Sequence, residues 1–407
     1  MNKIPNGWKE KKLKYIAEIT SSKRIYEYEY VDSGIPFYRG KEITALKNNQ
    51  KIENFIYISE KRYNELKEKY GVPSKYDILI TAVGTVGNAY TIEDDKPFYF
   101  KDGNLLWLKN IKEYPKFVEY LFECNKNVLL NNFFGSVQHA LTISRLENLT
   151  FYFPPLEEQK RIASALSKID AYLENTIKLI EEKERFKRGI AKKLLTCKEG
   201  ENIPEARFKG FEGEWEIVKL KDMFDNFKEK NNEDKIILAS TIDKGVIPNS
   251  LTERKIIRKK ESLSNYKLVK KGCFVISLMS FQSGFEYSDY EGIISPAYTV
   301  LKPKIEMAHY FYKYYFKSFK FIKDLRPYAE GIRHGKQIKF KACKDILVPY
   351  PSIEEQEKIG GYLSLLDEEI DNLKKQKKLI KEMKKGAMQK LLSGEVRLSK
   401  NAFNENI

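Results

Sequence analysis

The chain has 407 residues, 42% of them hydrophobic, and 73 Lys and Arg against 57 Asp and Glu, for a formal net charge of +16. That length supports two or three units that each bury a core, and base spread over so large an acidic background excludes a disordered basic tail. A basic globular chain suits a polyanion, because displacing condensed counterions from a phosphate backbone favours binding.

The four cysteines, Cys124, Cys197, Cys273 and Cys343, stand alone in apolar or helical stretches. They support neither a zinc site nor a disulfide framework and fit a reducing cytosol. Met1-Asn2-Lys3-Ile4-Pro5 lacks the apolar core of a signal peptide. No apolar run approaches the ~18 residues of a membrane span.

Taken in chain order, Trp8-Lys9-Glu10-Lys11-Lys12-Leu13 opens the first globular part. Tyr76–Ala82 reads as a strand, Gly84-Thr85-Val86-Gly87 as a turn, and Phe117–Leu130 as helical. Gly135 opens a polar loop containing Gln138 and His139. Phe153-Pro154-Pro155-Leu156-Glu157-Glu158-Gln159 then starts a long helix, with two glutamates in the first turn, where the helix dipole favours negative charge. Thr196–Phe208, with Gly200, Asn202 and Pro204, ends it. Trp215-Glu216-Ile217-Val218-Lys219-Leu220 opens the second part. Gly272–Leu278 is predicted as its strand and Ala308–Leu325 as its helical stretch. The aromatic cluster Tyr310, Phe311, Tyr314, Tyr315, Phe316 and Phe319 reads as core with a wet edge. Gly331 opens a second polar loop before Tyr350-Pro351-Ser352-Ile353-Glu354-Glu355-Gln356.

The chain thus states one plan twice, in a register of 197 residues: Gln159 meets Gln356, Leu166 meets Leu363, Asp170 meets Asp367 and Gly189 meets Gly386. The shared segments carry narrow apolar stripes. One runs Ile162, Leu166, Ile169, Leu173, Ile177 and Ile180, with a slip after Leu173. The other runs Ile359, Leu363, Leu366, Ile370, Leu373 and Ile380, with Lys377 at one seam position. Alternating spacings of three and four predict a seam between two helices of roughly 40 residues, about 60 Å long. The seam positions are Ile162, Leu166, Ile169 and Leu173 on one helix and Ile359, Leu363, Leu366 and Ile370 on the other.

No motif for chemistry survives inspection. Phe153-Pro154-Pro155-Leu156 lacks the flanks of an amino-methyltransferase motif, and Gly84–Gly87 lacks the Gly-Lys-Ser/Thr of a P-loop. A metal nuclease built on Asp77 and Asp94-Asp95-Lys96 has Cys273 where the repeat needs a carboxylate. The three histidines, His139, His309 and His334, show no metal-ligand spacing.

Trp-x-x-x-x-Leu, a divergent domain, and Pro-Pro-Leu-x-Glu-Gln leading a long helix, all repeated once, resemble the specificity subunits of type I restriction–modification enzymes. Phe208-Lys209-Gly210-Phe211-Glu212-Gly213-Glu214-Trp215 resembles the opening of their second half. The departure is Ser352, in place of a second proline. The resemblance implies an α/β (α+β) fold with two similar target-recognition domains, at residues 1–155 and 201–351. Antiparallel paired helices separate them, within 156–200 and 352–395, and a tail spans 396–407.

It further implies a cytoplasmic prokaryotic protein that binds double-stranded DNA, each domain reading half of a split site. Two methyltransferase subunits would hold S-adenosylmethionine, and a restriction subunit would use ATP and Mg. The chain itself would hold no cofactor, metal or catalytic residue and meet no membrane. The competing readings are a recognition module with metal-dependent nuclease activity and a protein-only coiled-coil scaffold.

Polar residues in loops beside the strands are the candidate DNA contacts. They are Arg39, Lys41, Thr85, Asn88, Gln138 and His139 in the first domain, and Ser280, Gln282, Arg333, His334, Lys336 and Gln337 in the second.

Overall fold

The computed structural model describes residues 5–131, 141–252, 263–276, 284–330 and 337–398. The chain divides into two compact units, one formed by Met1–Lys178 with Lys375–Ile407, the other by Leu179–Lys374.

The first unit centres on a four-stranded antiparallel sheet in the order Glu18–Thr20, Leu105–Lys109, Ile78–Thr81, Ala89–Thr91. Side chains alternate across a strand, and here both faces are covered. Ile78, Ile80, Leu106 and Leu108 enter a core with Phe117, Tyr120 and Leu121, while Leu79, Leu105 and Trp107 enter another with Ile43 and Phe100. This explains why Ile78–Thr81 is buried at every position and opens with an unbroken apolar run, Ile78-Leu79-Ile80, rather than an alternating one. The predicted strand Tyr76–Ala82 is shorter because Tyr76 takes a positive φ of 75°.

The second unit repeats the sheet order with Phe224–Phe227, Thr299–Pro303, Phe274–Ile276 and Phe285–Tyr287. Phe274, Ile276 and Leu301 face one core and Val275 and Val300 another.

In each unit the opening motif pairs with the closing one. Lys9–Lys12 runs antiparallel to Thr150–Phe153, and Glu216–Lys219 to Leu347–Tyr350. Beyond this shared frame the units diverge. The first adds a sheet of Tyr30–Val31, Ile56–Ile58, Ile35–Tyr38 and Tyr99–Phe100, where the second has separate two-stranded pairs such as Leu238–Thr241 with Gly245–Pro248.

Both predicted helical stretches between the sheet and the long helix are broken. Pro115–Cys124 stops at Asn125 before Lys126–Asn131. His309–Tyr315 stops before Phe319–Leu325, whose N-cap is the Ser318 hydroxyl. The break lets Phe311, Tyr315 and Phe316 pack inward while Phe319 stays 79% exposed.

The long helices span Leu156–Leu195 and Ile353–Leu392, 40 residues each. In the first unit the partners of the first helix fall in number as those of the second rise: Tyr172 meets Gln376, Asp170 meets Lys384, and Glu158 meets Arg397 just beyond the helix. In the second unit Lys183 meets Glu369, Glu184 meets Lys374, and Lys187 meets Asp367. Each unit therefore holds an antiparallel helix pair.

The apolar stripes do more than join helix to helix. Ile162 and Leu166 share the first unit's main core with Phe117 and Tyr120 as well as with Met388, Leu391 and Leu392. Ile359, Leu363 and Leu366 share the second unit's core with Phe311 and Tyr315 as well as with Leu194 and Leu195. Ile169 packs at the edge of its cluster, Leu173 is half-buried, and Ile370 is buried. A stripe of this width reports that a face is covered but not by which neighbour, and here two neighbours cover it.

Candidate nucleic-acid interface

The Glu-Glu-Gln at the start of each long helix fixes the globular part to it. Gln159 accepts from the Tyr114 N–H (2.9 Å) and donates to Glu113 (2.6 Å) and the Pro154 carbonyl (2.8 Å). Gln356 accepts from the Ala308 N–H (2.9 Å) and donates to the Pro351 carbonyl (2.8 Å). The second glutamate of each pair is buried, and an arginine from the segment following the other long helix neutralises it. Arg397 grips Glu158, and Arg207 grips Glu355 with 2.8 and 2.7 Å bonds. Sequence reasoning assigned these glutamates only to the helix dipole. Their exact recurrence beside an invariant-register glutamine was the available signal. Ser352, the departure from the proline pattern, caps its helix by accepting from the Glu355 N–H (3.3 Å).

A second repeated contact joins the shorter helices to the long ones. Tyr120 donates to Asp170 (2.7 Å), and Tyr314 donates to Asp367 (2.7 Å). Burial and then the neighbouring aspartate push both phenols far above their ordinary range, so both remain donors.

Of the nominated DNA contacts in the first domain, four gather around the short helix Gly40–Lys47. Arg39 occupies its N-cap, and its guanidinium bonds Glu42 at 2.8 and 3.3 Å. Glu42 is 2% exposed. Burial drives its carboxyl up, but the Arg39 hydrogen bonds and charge outweigh this and hold it below the usual range. Arg39 is thus held against Glu42, and the more exposed Lys41 reaches the same carboxylate at 3.6 Å.

One turn on, Thr44 meets Thr85 (3.1 Å) and Asn88 (3.2 Å), which come from the turn between the sheet strands Ile78–Thr81 and Ala89–Thr91. That turn is built firmly. Thr81, fully buried, donates to the Thr85 carbonyl and accepts from the Asn88 N–H (3.0 Å). Gly84 and Gly87 supply positive φ values of 76° and 82°. Lys126 donates to the Asn88 side-chain oxygen (2.5 Å), and burial followed by the charge of Lys47 lowers its pKa.

Gln138, His139, Ser280, Gln282, Arg333, His334 and Lys336 lie outside the described residues. Gln337 sits in the short strand Gln337–Ile338, opposite Glu330. His309 stacks on Tyr287, with ring centroids 6.0 Å apart, and burial lowers its pKa.

The nuclease carboxylates have structural partners. Asp77 accepts from the Trp107 indole (2.8 Å) and the Ser74 N–H (3.0 Å), and burial raises its pKa. Asp94 pairs with Lys96, and Asp95 accepts from the Lys75 N–H. Among the described residues no three His, Cys, Asp or Glu side chains converge as metal ligands, and no helix is long and apolar enough to cross a membrane.

The model of the type I restriction modification DNA specificity domain matches residues 5–182 and again 212–382. The chain belongs to this family. Its two matches coincide with the two copies of the sequence plan, and its function is DNA specificity in a type I restriction–modification system.

Among curated relatives of the family, a putative type I restriction enzyme MjaX specificity subunit of Methanocaldococcus jannaschii is 25% identical over 98% of this chain and 96% of its own length. A putative type I specificity subunit of Haemophilus influenzae is 34% identical over 40% of each. The same fold is seen in the type I S subunit of M. genitalium, with a TM-score of 0.56, 17% identity, and coverage of 96% of this chain and 97% of that one. It recurs in a chain solved in work on complex assembly and conformational transition of the type I R-M system, with a TM-score of 0.57, 14% identity, and coverage of 97% and 100%.

Proposed function

We propose that this specificity-family chain reads a split DNA target, with residues 1–155 recognising one half and 201–351 the other. The segments 156–200 and 352–395 dock two methyltransferase subunits that bring S-adenosylmethionine, and 396–407 form a tail. A restriction subunit using ATP and Mg completes the enzyme, which acts in the prokaryotic cytoplasm. The chain itself is non-catalytic. In the first domain Arg39, Lys41, Thr85 and Asn88 face the DNA, as do Gln138 and His139. Ser280, Gln282, Arg333, His334, Lys336 and Gln337 do so in the second.

One observation carries this reading. Two units share a sheet order, a closing strand pair and a helix anchor while the strands added to that frame differ, as two readers of different sequences on one frame require. Mapping methylated adenines in cells carrying this chain with its modification subunit tests it. The expected pattern is two unlike half-sites separated by an unspecified gap. A single continuous motif, or cutting by the purified chain with Mg alone, overturns it.

A further inference from the structure

Proton bookkeeping around Thr44 fixes what Thr85 can offer a ligand. The Thr44 hydroxyl donates its one proton to the Gly40 carbonyl (2.8 Å). Its oxygen is therefore an acceptor towards its other two neighbours. The Asn88 amide cannot flip, because Lys126 carries only donors and bonds the side-chain oxygen; the NH2 group is left pointing at Thr44. The remaining contact, Thr44 to Thr85, can then have only Thr85 as donor.

Thr85 is exposed, and with its proton directed to Thr44 its hydroxyl is left with lone pairs only to offer a ligand. Its neighbour at the tip of the same turn, Val83, is 46% exposed. A phosphate, which accepts only, gains nothing from a Thr85 hydroxyl held in this way. A base edge in the major groove does, since it offers an exocyclic amino donor on adenine or cytosine and an apolar methyl on thymine.

We propose that Thr85 is a specificity-determining residue that accepts a hydrogen bond from one base amino group in the major groove. Thr44, Asn88 and Lys126 are positioning residues that hold it as an acceptor. The inference rests on the reading of the first domain as a DNA reader.

The test uses the full chain with its modification subunits. A randomised duplex pool, bound and sequenced, defines the preferred duplex. Adenines are then replaced one at a time by purine, and cytosines by 2-pyrimidinone, which deletes only the amino group. A parallel set carries single methylphosphonates. Wild type is expected to lose roughly tenfold in affinity at the contacted position. Thr85→Val is expected to lose as much on the intact duplex and to be indifferent to that one deletion. Thr85→Ser is expected to restore the sensitivity.

Thr85→Val losses that add independently to every amino deletion overturn the proposal. So does coupling of Thr85→Val to one methylphosphonate, since that makes Thr85 a phosphate donor. If wild type shows no sequence preference in the pool, the reading of the domain itself fails instead.

Discussion

The two units solve one problem with different side chains at matching positions. Ala163 and Gly360 stand in the same register on the two long helices. Ala163 is buried in the first core, whereas a methyl on Gly360 would come within 2.6 Å of the Phe311 nitrogen and 2.9 Å of the Tyr310 carbonyl carbon. The second unit's short helix therefore lies nearer its long helix than an alanine permits. Trp215 donates to Glu355 (2.9 Å), which Arg207 also grips, whereas the Trp8 indole N–H is buried without a partner among the described residues. Lys187 pairs with Asp367, while its counterpart Lys384 lies between Asp170 (2.8 Å) and Glu123 (2.6 Å), with Lys47 beyond (3.3 Å). A shared backbone plan thus tolerates different closures, because a core is satisfied by volume and charge balance rather than by one set of residues.

The lysine difference gives the largest expected effect. Burial works against the charge on Lys384, but Glu123 and Asp170 prevail and hold its pKa above the usual lysine value. Lys384→Met leaves two carboxylates facing one remaining lysine. It is expected to destabilise the first unit by about 2–3 kcal/mol, discounted for partial exposure of the carboxylates. Lys187→Met removes a more exposed pair and is expected to cost about 1 kcal/mol or less. Segment-resolved hydrogen exchange checks both. Equal losses would make the extra carboxylate in the first unit irrelevant.

The glycine difference comes next. Gly360→Ala forces a methyl against backbone and is expected to cost about 1–3 kcal/mol in the second unit. The reciprocal Ala163→Gly is expected to cost about 1–2 kcal/mol, from helix propensity and the loss of one buried methyl. Chemical denaturation of the two variants ranks them. A neutral Gly360→Ala would show that the two short helices approach their long helices equally closely.

Acid provides the smallest effect. In the first unit Glu123, with Lys47 and Lys384 outweighing its burial, and Glu42, with Arg39 doing the same, both titrate below the ordinary 4.5. Depressed carboxylates contribute stability above the unfolded value and lose it as pH falls through the folded value. In the second unit the described carboxylates with depressed values, Glu291 and Asp345, lie at the surface in pairs with Lys235 and Lys221. As pH falls below 4.5, exchange protection is expected to fall around Gly40–Lys47 and Pro115–Cys124 before it falls in the second unit. Simultaneous loss would remove these pairs as the cause.

Much of this was legible in the residues. An uninterrupted register of 197 fixed two copies and two helices of 40 residues, because a repeated local pattern forms repeated local structure wherever it occurs. Arg39, Lys41, Thr85 and Asn88 could be nominated as polar loop residues. Their division into roles could not, since Arg39 answers a glutamate whose burial depends on the folded neighbourhood.

Tertiary structure alone decided what covers each stripe. It decided where the shorter helices break, at Asn125 and before Ser318, so that their aromatics turn inward. It decided which glutamate of each pair is buried against an arginine from the far end of the other helix. It also decided which way the Thr85 proton points. Periodicity and composition report that a surface is apolar or polar. Partners distant in sequence, brought within hydrogen-bonding reach by folding, determine what that surface meets and which of its groups remain free to act.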